Sequence, residues 1–168
     1  MIVVLPPELA RRLTVTTQQE VGVVFAEADL DQLIARTDEG AVVLSGSARH
    51  IEITTSHGDV NTREPILVSE SFRAVTQDGD INADFGGAPK TLDVQSGNGD
   101  IVLALPRPGP YVVDATTGQE WGSTVVRVPL TREREDAAAV VTARSESGDV
   151  IVEESSGTAT IEFTTPNG

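Results

Sequence analysis

Apolar and polar residues alternate along short stretches of this chain, and each stretch runs into a glycine. The shared pattern is apolar-x-apolar-x-Thr/Ser-x-x-Gly-x-apolar. Alternation with a period of two places apolar side chains on one face of a β-strand and polar side chains on the other. The pattern therefore predicts half-buried strands rather than helices. Its clearest copies are residues 33–42, 51–60, 72–81, 92–101 and 141–150, with a poorer copy at 111–118.

The copies recur with a period of about twenty residues. Gly40, Gly58, Gly79 and Gly99 are spaced 18, 21 and 20 residues apart. One such unit is too small to bury a core, but stacked units share backbone hydrogen bonds and bury a continuous apolar column. Glycine beside Asn or Asp is typical of turns that need positive φ. We predict an all-β, right-handed parallel β-solenoid of about six to seven coils, with structural turns at Gly40, Gly58, Gly79, Gly99, Gly118 and Gly148.

An antiparallel β-sandwich is the alternative architecture. Asp78-Gly79 and Asn98-Gly99 are strong hairpin signals. A sandwich, however, has about 8 to 12 residues between turn signals, whereas here the whole strand-turn-strand unit recurs near twenty, which favours the solenoid. Residues 28–36 also allow a short amphipathic helix, although their second half fits the strand repeat better.

A chain of 168 residues is long enough for one domain with a sizeable core and too short for two ordinary domains. Residues 132–136 are too charged for a core, so we expect a solvated loop there. Pro6-Pro7 and residues 164–168 resemble caps on the two ends. Within a single domain we assign a capping coil to residues 1–30, regular coils to 31–105, an irregular coil with the charged loop to 106–140, and a C-terminal coil and tail to 141–168.

The net charge of −14, from 26 acidic and 12 basic residues, argues against a nucleic-acid partner, because phosphates would be repelled. The chain has no cysteine, which excludes disulfides and Cys-ligated zinc. Residues 1–5 are apolar but lack a basic region and end at Pro6-Pro7. We therefore expect neither a signal peptide nor membrane insertion by this chain itself.

Four turns share the sequence Gly-Asp followed by Val or Ile, in Thr-Ser-His-Gly-Asp-Val, Thr-Gln-Asp-Gly-Asp-Ile, Ser-Gly-Asn-Gly-Asp-Ile and Ser-Glu-Ser-Gly-Asp-Val. They resemble a bacterial adhesin-like family of repeat domains, from about residue 2 to residue 152. The resemblance implies a solenoid, no established reaction, and an extracytoplasmic location behind a membrane anchor missing from this chain. The sequence departs from the family's pattern at Gly118-Gln119-Glu120-Trp121 and at Gly40-Ala41-Val42, where the Asp is missing.

The aspartates after the turn glycines form a candidate site. If the coils are in register, these side chains lie about 4.8 Å apart along the stack. They then cap backbone N–H groups, extend into solvent, or hold a hard cation such as Ca²⁺. The known calcium solenoid has a nine-residue repeat, which is absent here, so we favour capping, with no cofactor, over a Ca²⁺ site. These residues are Asp59, Asp80, Asp100 and Asp149.

No set of residues converges on catalysis. His50 and His57 are the two histidines, and a Ser-His-Asp triad would need one of them together with a serine such as Ser47 or Ser56. No nucleophile-elbow motif places a serine, so we expect both histidines to be exposed to solvent. A polysaccharide-cutting solenoid would need aromatic or basic groups beside paired carboxylates, and aromatic residues are few: Phe25, Phe72, Phe85, Phe163, Tyr111 and Trp121.

Tyr111 and Trp121 lie on either side of the irregular coil, as an exposed contact patch or as a plug in the core, and we favour the plug because large aromatic side chains are usually buried. The four Phe residues fit core or end-cap positions. We predict a non-enzymatic adhesin-like or scaffolding domain that binds an unknown protein or cell-envelope component. The alternatives are a self-polymerising scaffold, and hence a homo-oligomer, and a polysaccharide-acting enzyme.

Overall fold

A computed structural model describes residues 14–22, 24–87, 89–106, 110–118 and 122–155. Its regular structure is entirely β-strand, so the all-β prediction is confirmed and the helix considered for residues 28–36 is wrong. No helix among these residues is long and apolar enough to cross a membrane. The strands are β1 (Thr14–Val21), β2 (Val24–Glu39), β3 (Val42–His57), β4 (Val60–Thr62), β5 (Ile66–Asp78), β6 (Ile81–Gly87), β7 (Thr91–Asn98), β8 (Ile101–Leu105), β9 (Tyr111–Thr117), β10 (Thr124–Arg127), β11 (Ala139–Ser145) and β12 (Val150–Glu154).

Every strand pairing in the described part of the chain is parallel. Ile51 in β3 lies beside Phe72 in β5, which in turn lies beside Leu92 in β7. Val60, directly after a glycine turn, pairs with Ile81 of the next coil rather than folding back on β3 as a hairpin. The predicted stacking of coil on coil is confirmed at these strands, and the antiparallel sandwich is wrong.

The strands form two columns, which meet at the glycine turns. The first column contains the segments before the turns, in the spatial order β2, β3, β5, β7, β11, β9, with β1 outside β2. The second column contains the segments after the turns, in the order β3, β4, β6, β8, β12, β10. β2 and β3 are 16 residues long, and the first residues of β3 belong to the second column while its last residues belong to the first.

The spatial order of the strands departs from the chain order at one place. β9 and β10 follow β7 and β8 along the chain, but β11 and β12 lie between these two pairs in the stack. After the coil of β7 and β8, the chain therefore leaves one level of the stack empty and forms the coil of β9 and β10 on the level beyond it. It then returns, and β11 and β12 fill the empty level. The sequence division into regular, irregular and C-terminal coils does not reveal this order.

The residues between β10 and β11 provide the return. Residues 132–136 within this connection are exposed, which confirms the predicted solvated loop. Ala138 then donates a backbone hydrogen bond to Pro110, at the start of the coil of β9 and β10. The expected caps at Pro6-Pro7 and residues 164–168 lie outside the described residues.

Inward side chains of successive coils stack into continuous apolar rows. Ile81 and Ile101 are fully buried neighbours in one row, which confirms the prediction that both point into the core. Phe72 and Phe85 meet edge to face with ring centroids 5.0 Å apart, a favourable aromatic geometry. The side chain of Phe25 and all of Phe163 lie outside the described part of the chain.

Candidate functional site

The turns of successive coils lie on one another and form a column of glycines. At each member after the first, an added Cβ would lie less than 3.0 Å from the carbonyl oxygen of the glycine one level before. No side chain fits such a separation, so the close approach of two backbones requires glycine here. The glycine column consists of Gly22, Gly40, Gly58, Gly79, Gly99 and Gly148.

Turn conformation explains only part of the glycine column. Gly79 and Gly99 have φ of 158° and 153°, in the region that disfavours side chains. Gly22 and Gly40 also lie in this region, with φ of 137° and 135°, whereas Gly58 and Gly148 lie outside it. Among the four Gly-Asp turns, at Gly58, Gly79, Gly99 and Gly148, the expected positive φ is therefore found in two.

Gly118 was also expected to belong to this set of turns, and it does not lie in the column. A Cβ there would meet the carbonyl oxygen of Glu146 at an ordinary 3.4 Å. The turn between β9 and β10 is longer than the others. As a result Gly122, and not Gly118, lies next to Gly148 at the end of the column, and a Cβ added at Gly122 would lie 2.6 Å from the Gly148 carbonyl oxygen.

Buried hydroxyl groups run beside the glycine column and explain the Thr or Ser of the repeat. Ser96 donates a hydrogen bond to the Gly79 carbonyl at 2.9 Å, and Ser145 donates one to the Gly99 carbonyl at 2.8 Å. Thr76 and Thr117 make the equivalent bonds to Gly58 and Gly148. Each of these four hydroxyls satisfies a carbonyl one level away, which fixes the register of these coils. At the same repeat position, Thr37 donates to the Glu39 carbonyl, and the buried Thr55 hydroxyl has no hydrogen-bond partner among the described residues.

The aspartates after the glycines form a ladder of backbone caps. The Asp59 carboxylate accepts a hydrogen bond from the Asp80 N–H at 2.9 Å, Asp80 accepts one from Asp100 at 2.8 Å, and Asp100 accepts one from Asp149 at 2.8 Å. At the end of this aspartate ladder, Asp149 accepts from both the N–H and the hydroxyl of Ser123. The arrangement is that of turn caps, and among the described residues no group of three or more potential ligands is placed to hold a metal ion.

We expect the replacement of Asp80 by alanine to lower the free energy of unfolding by about 1 kcal/mol, because the Asp100 N–H loses its acceptor. Asp80→Asn keeps a side-chain oxygen and should lose less than half of that. Urea titration of both variants measures the difference. Equal losses would show that charge, and not the acceptor, matters. A rise in melting temperature on adding Ca²⁺, seen in the wild type and abolished in Asp80→Ala, would show a cation site instead.

A groove of about 800 Å³ lies where β5, β7, β11 and β9 end, beside the glycine column. Thr76, Ser96, Ser145 and Thr117 pair with one another across these four strands. The residue that follows each of them is, in the same spatial order, a glutamine, a glycine, a glutamate and a glycine. The two glycines leave gaps in the groove floor, and the two long side chains alternate with them across the strands. These residues are Gln77, Gly97, Glu146 and Gly118.

Amides and charged groups line this groove. They present several hydrogen-bond donors and acceptors, and one cation, to a ligand lying across the strands. Asn98 is held in place, since it donates to Asp78 at 2.6 Å and accepts from Ser147 at 2.6 Å. Such a surface suits a polar ligand that offers hydroxyl or amide groups. The polar lining consists mainly of Gln77, Asp78, Gln95, Asn98, Arg144 and Glu146.

The structure does not bring the groups of a catalytic triad together among the described residues. His50 is half-buried, with its Nδ1 2.8 Å from the Ser71 hydroxyl, so the expectation of solvent exposure is wrong for this histidine. His57 is exposed, and its Nε2 lies 3.4 Å from Asp78. The serine contact and the carboxylate contact thus belong to different histidines, seven residues apart on one strand.

Tyr111 is buried, with 1% of its surface exposed, and its hydroxyl donates to the Pro106 carbonyl. The interpretation of Tyr111 as part of a contact patch is therefore wrong, because the ring closes the core at the start of β9. Trp121 lies outside the described residues. Burial, and secondly the charge of Glu154, raises the pKa of the Tyr111 hydroxyl above its usual value of 10.0.

This pKa predicts a loss of stability in alkali. A raised pKa in the folded state means that the tyrosine contributes its full stability below about pH 10, and the contribution is lost as the pH rises through the folded pKa. Tyr111 is the single tyrosine, so tyrosinate absorbance reports on it alone. We expect that absorbance to appear above pH 10 together with unfolding, and Tyr111→Phe to be less sensitive to alkali. Lys90→Gln, at an exposed ion pair, is the control, and the same sensitivity in Tyr111→Phe as in the wild type would contradict the prediction.

The chain matches the family described as Toastrack DUF4097 over residues 13–162. The description denotes a domain of unknown function, so the adhesive role suggested by the sequence resemblance stays a prediction. Searches of curated proteins and of solved structures found no significant match.

Proposed function

This chain belongs to the Toastrack DUF4097 family, and we propose that it is a non-enzymatic domain that binds a protein or cell-envelope component at the groove where β5, β7, β11 and β9 end. The observation that carries the proposal is the groove itself, at about 800 Å³ and lined by amides and charges. The volume is within the range of ligand sites, about 300 to 1,000 Å³. Its lining lacks the apolar walls of a small-molecule pocket, which favours an extended polar ligand.

The charge of the protein narrows the class of partner. A net charge of −14 opposes binding to nucleic acid. Each contact in such a polar groove is weak, and we expect useful affinity to come from several copies acting on one surface. An extracytoplasmic location, implied by the resemblance of the Gly-Asp-Val/Ile turns, fits this role.

We also infer that the stack is a right-handed solenoid of about six to seven coils. The parallel pairing of consecutive coils supports this, because crossover connections between parallel strands are right-handed in nearly all proteins. A stack of this kind holds the four strand ends rigidly, as a binding surface requires.

Cosedimentation with purified insoluble bacterial cell walls tests the binding proposal. Gly118→Gln adds a side chain in the groove at a position where a Cβ has ordinary contacts. We expect it to weaken binding at least about tenfold, which is about 1.4 kcal/mol. Asn82→Gln, on an exposed position of the second column, should bind like the wild type. Equal binding by all three proteins would contradict binding at the groove, and release of soluble sugars would contradict a non-enzymatic role. No binding by the wild type would exclude the cell wall and leave a protein as the partner.

A second function, head-to-tail self-assembly, is favoured by one observation. Among the described residues, β1 pairs with β2, and β9 pairs with β11 and has a partner on its other edge at Tyr111 alone, through Pro129, Leu130 and Thr131. Within the described ranges, β1 and β9 thus each have an edge without a paired strand along most of its length, and such an edge can pair with another chain. Light scattering across a range of concentrations tests this function, and a monomer at all concentrations would exclude it.

A further inference from the structure

Glu146 has a particular position in the groove where β5, β7, β11 and β9 end. Its backbone N–H donates to the Ser96 carbonyl at 3.1 Å, and the Gly118 N–H donates to the Ser145 carbonyl at 3.0 Å. Glu146 therefore lies between Gly97 on one side and Gly118 on the other. Because neither glycine has a side chain, a ligand in the groove can reach the exposed Glu146 carboxylate from both sides.

Carboxylates outnumber cations at this groove. Arg144 contributes positive charge to the lining, and its guanidinium lies 3.9 Å from the Asp114 carboxylate on β9. Asp78, the other acidic residue of the lining, lies 3.4 Å from the His57 ring. Glu146 is the carboxylate that lies over the glycine gaps in the floor. The net charge of −14 adds a long-range attraction for cations to this local one.

The groove suits an organic cation better than a metal ion. Among the described residues, no group of three or more potential metal ligands is found, whereas a hard cation such as Ca²⁺ takes six to eight oxygen ligands. A guanidinium or an ammonium group can instead be held by one carboxylate together with neutral acceptors. Gln95 donates its amide nitrogen to Asp93 at 3.2 Å, so its amide oxygen remains as such an acceptor beside the groove.

The width of the groove fits a short stretch of polypeptide. Its four strands span three strand spacings, about 14 Å, and an extended chain rises about 3.3 Å per residue. About four to five extended residues therefore cross the floor. At Gly97 and Gly118 the backbone of such a segment can approach the backbone of the groove closely, because no Cβ intervenes.

We propose that the partner at this groove is a protein segment in extended conformation that places an arginine or lysine side chain against the Glu146 carboxylate. This inference rests on the proposed binding function of the groove and names the chemistry of the partner. The polar lining hydrogen-bonds the backbone of the segment, and Glu146 selects its charge. Since the carboxylate is exposed, the charge selection weakens as the salt concentration rises.

Amide chemical shifts of the full chain, labelled with nitrogen-15, test the proposal in a titration with two peptides. The first is acetyl-Ser-Thr-Ser-Arg-Ser-Thr-Ser-amide, and the second has citrulline, the neutral analogue of arginine, in place of the arginine. We expect the arginine peptide to shift the amides of Gly97 and Gly118 and to bind at least about tenfold more tightly than the citrulline peptide. Glu146→Gln should remove this preference. Glu133→Gln changes the net charge equally at an exposed position of the charged loop, and should preserve it.

Three results would overturn the proposal. Equal affinity of the two peptides at Gly97 and Gly118 would leave the groove as a binding site but exclude a cationic partner. Equal weakening in Glu146→Gln and Glu133→Gln would show attraction by net charge alone. An arginine peptide that leaves both glycine amides unshifted would exclude this segment chemistry, while cosedimentation with cell walls judges the binding function of the groove separately.

Discussion

Replacement of Gly79 by alanine should lower the free energy of unfolding by about 3 kcal/mol or more. The added methyl group would lie less than 3.0 Å from the Gly58 carbonyl oxygen, and φ at this residue is 158°. Overpacking and backbone strain each contribute about 1 to 3 kcal/mol. The backbones of two coils must separate to admit the methyl group, which also weakens the Thr76 bond to Gly58. Urea unfolding followed by circular dichroism measures this loss.

Gly118→Ala is the matched control for this experiment. Gly118 has the same position in the repeat as the glycines of the column, but it lies outside the column in the structure. A Cβ added at Gly118 would lie 3.4 Å from the nearest atom. The alanine should therefore change stability by less than about 0.5 kcal/mol, as at an ordinary surface position. Similar losses in Gly79→Ala and Gly118→Ala would show that glycine is not required by the close approach of the coils.

Truncation of Ile101 to alanine should cost about 2 to 5 kcal/mol. Ile101 is fully buried between Ile81 and Val150 on neighbouring strands of the second column, so the cavity left by truncation is enclosed on both sides. Val102→Ala, at a half-buried position on the opposite face of the same strand, should lose less than about 1 kcal/mol. Thermal and urea unfolding should agree on this order. A loss below about half a kilocalorie for Ile101→Ala would mean that the strand register is wrong.

The strands could be predicted because their signal is local. Alternation in residues 51–55 sets which side chains face inward, and the following glycine marks the turn. The caps of the aspartate ladder could be anticipated from the same spacing, since Asp80 and Asp100 occupy equivalent positions in consecutive copies. Both inferences need only that neighbouring copies stack in register.

The position of β11 and β12 between the coil of β7 and β8 and the coil of β9 and β10 is harder to predict, although the sequence contains one signal for it. The coil that begins at Tyr111 has no Asp after its glycine, whereas Asp100 and Asp149 share the Gly-Asp motif. An uninterrupted aspartate ladder places these two residues on adjacent levels, as the hydrogen bond from Asp149 to Asp100 shows. The repeat thus indicates which copies are neighbours in space, and chain order does not.

The groove could not be predicted without that order. Gly97, Glu146 and Gly118 are far apart in the sequence, and they form one hollow because β11 lies between β7 and β9. The burial of His50 against Ser71 likewise depends on a bulge in β5, where a step of three residues from Val68 to Ser71 lies opposite a step of two residues from Ala48 to His50, and bulges have no distinctive signature in this polar stretch. Contacts of these kinds follow from tertiary arrangement rather than from local pattern.

Methyl–methyl nuclear Overhauser effects between selectively labelled leucine and valine residues test the strand order most directly. The groove and the aspartate ladder both depend on β11 lying between β7 and β9. In this order Leu92 lies beside Val141, and Val141 lies beside Val113, while Leu92 and Val113 are two strand spacings, about 9.6 Å, apart. We predict cross-peaks from Val141 to both residues and none between Leu92 and Val113. A cross-peak between Leu92 and Val113, without one between Leu92 and Val141, would contradict the account.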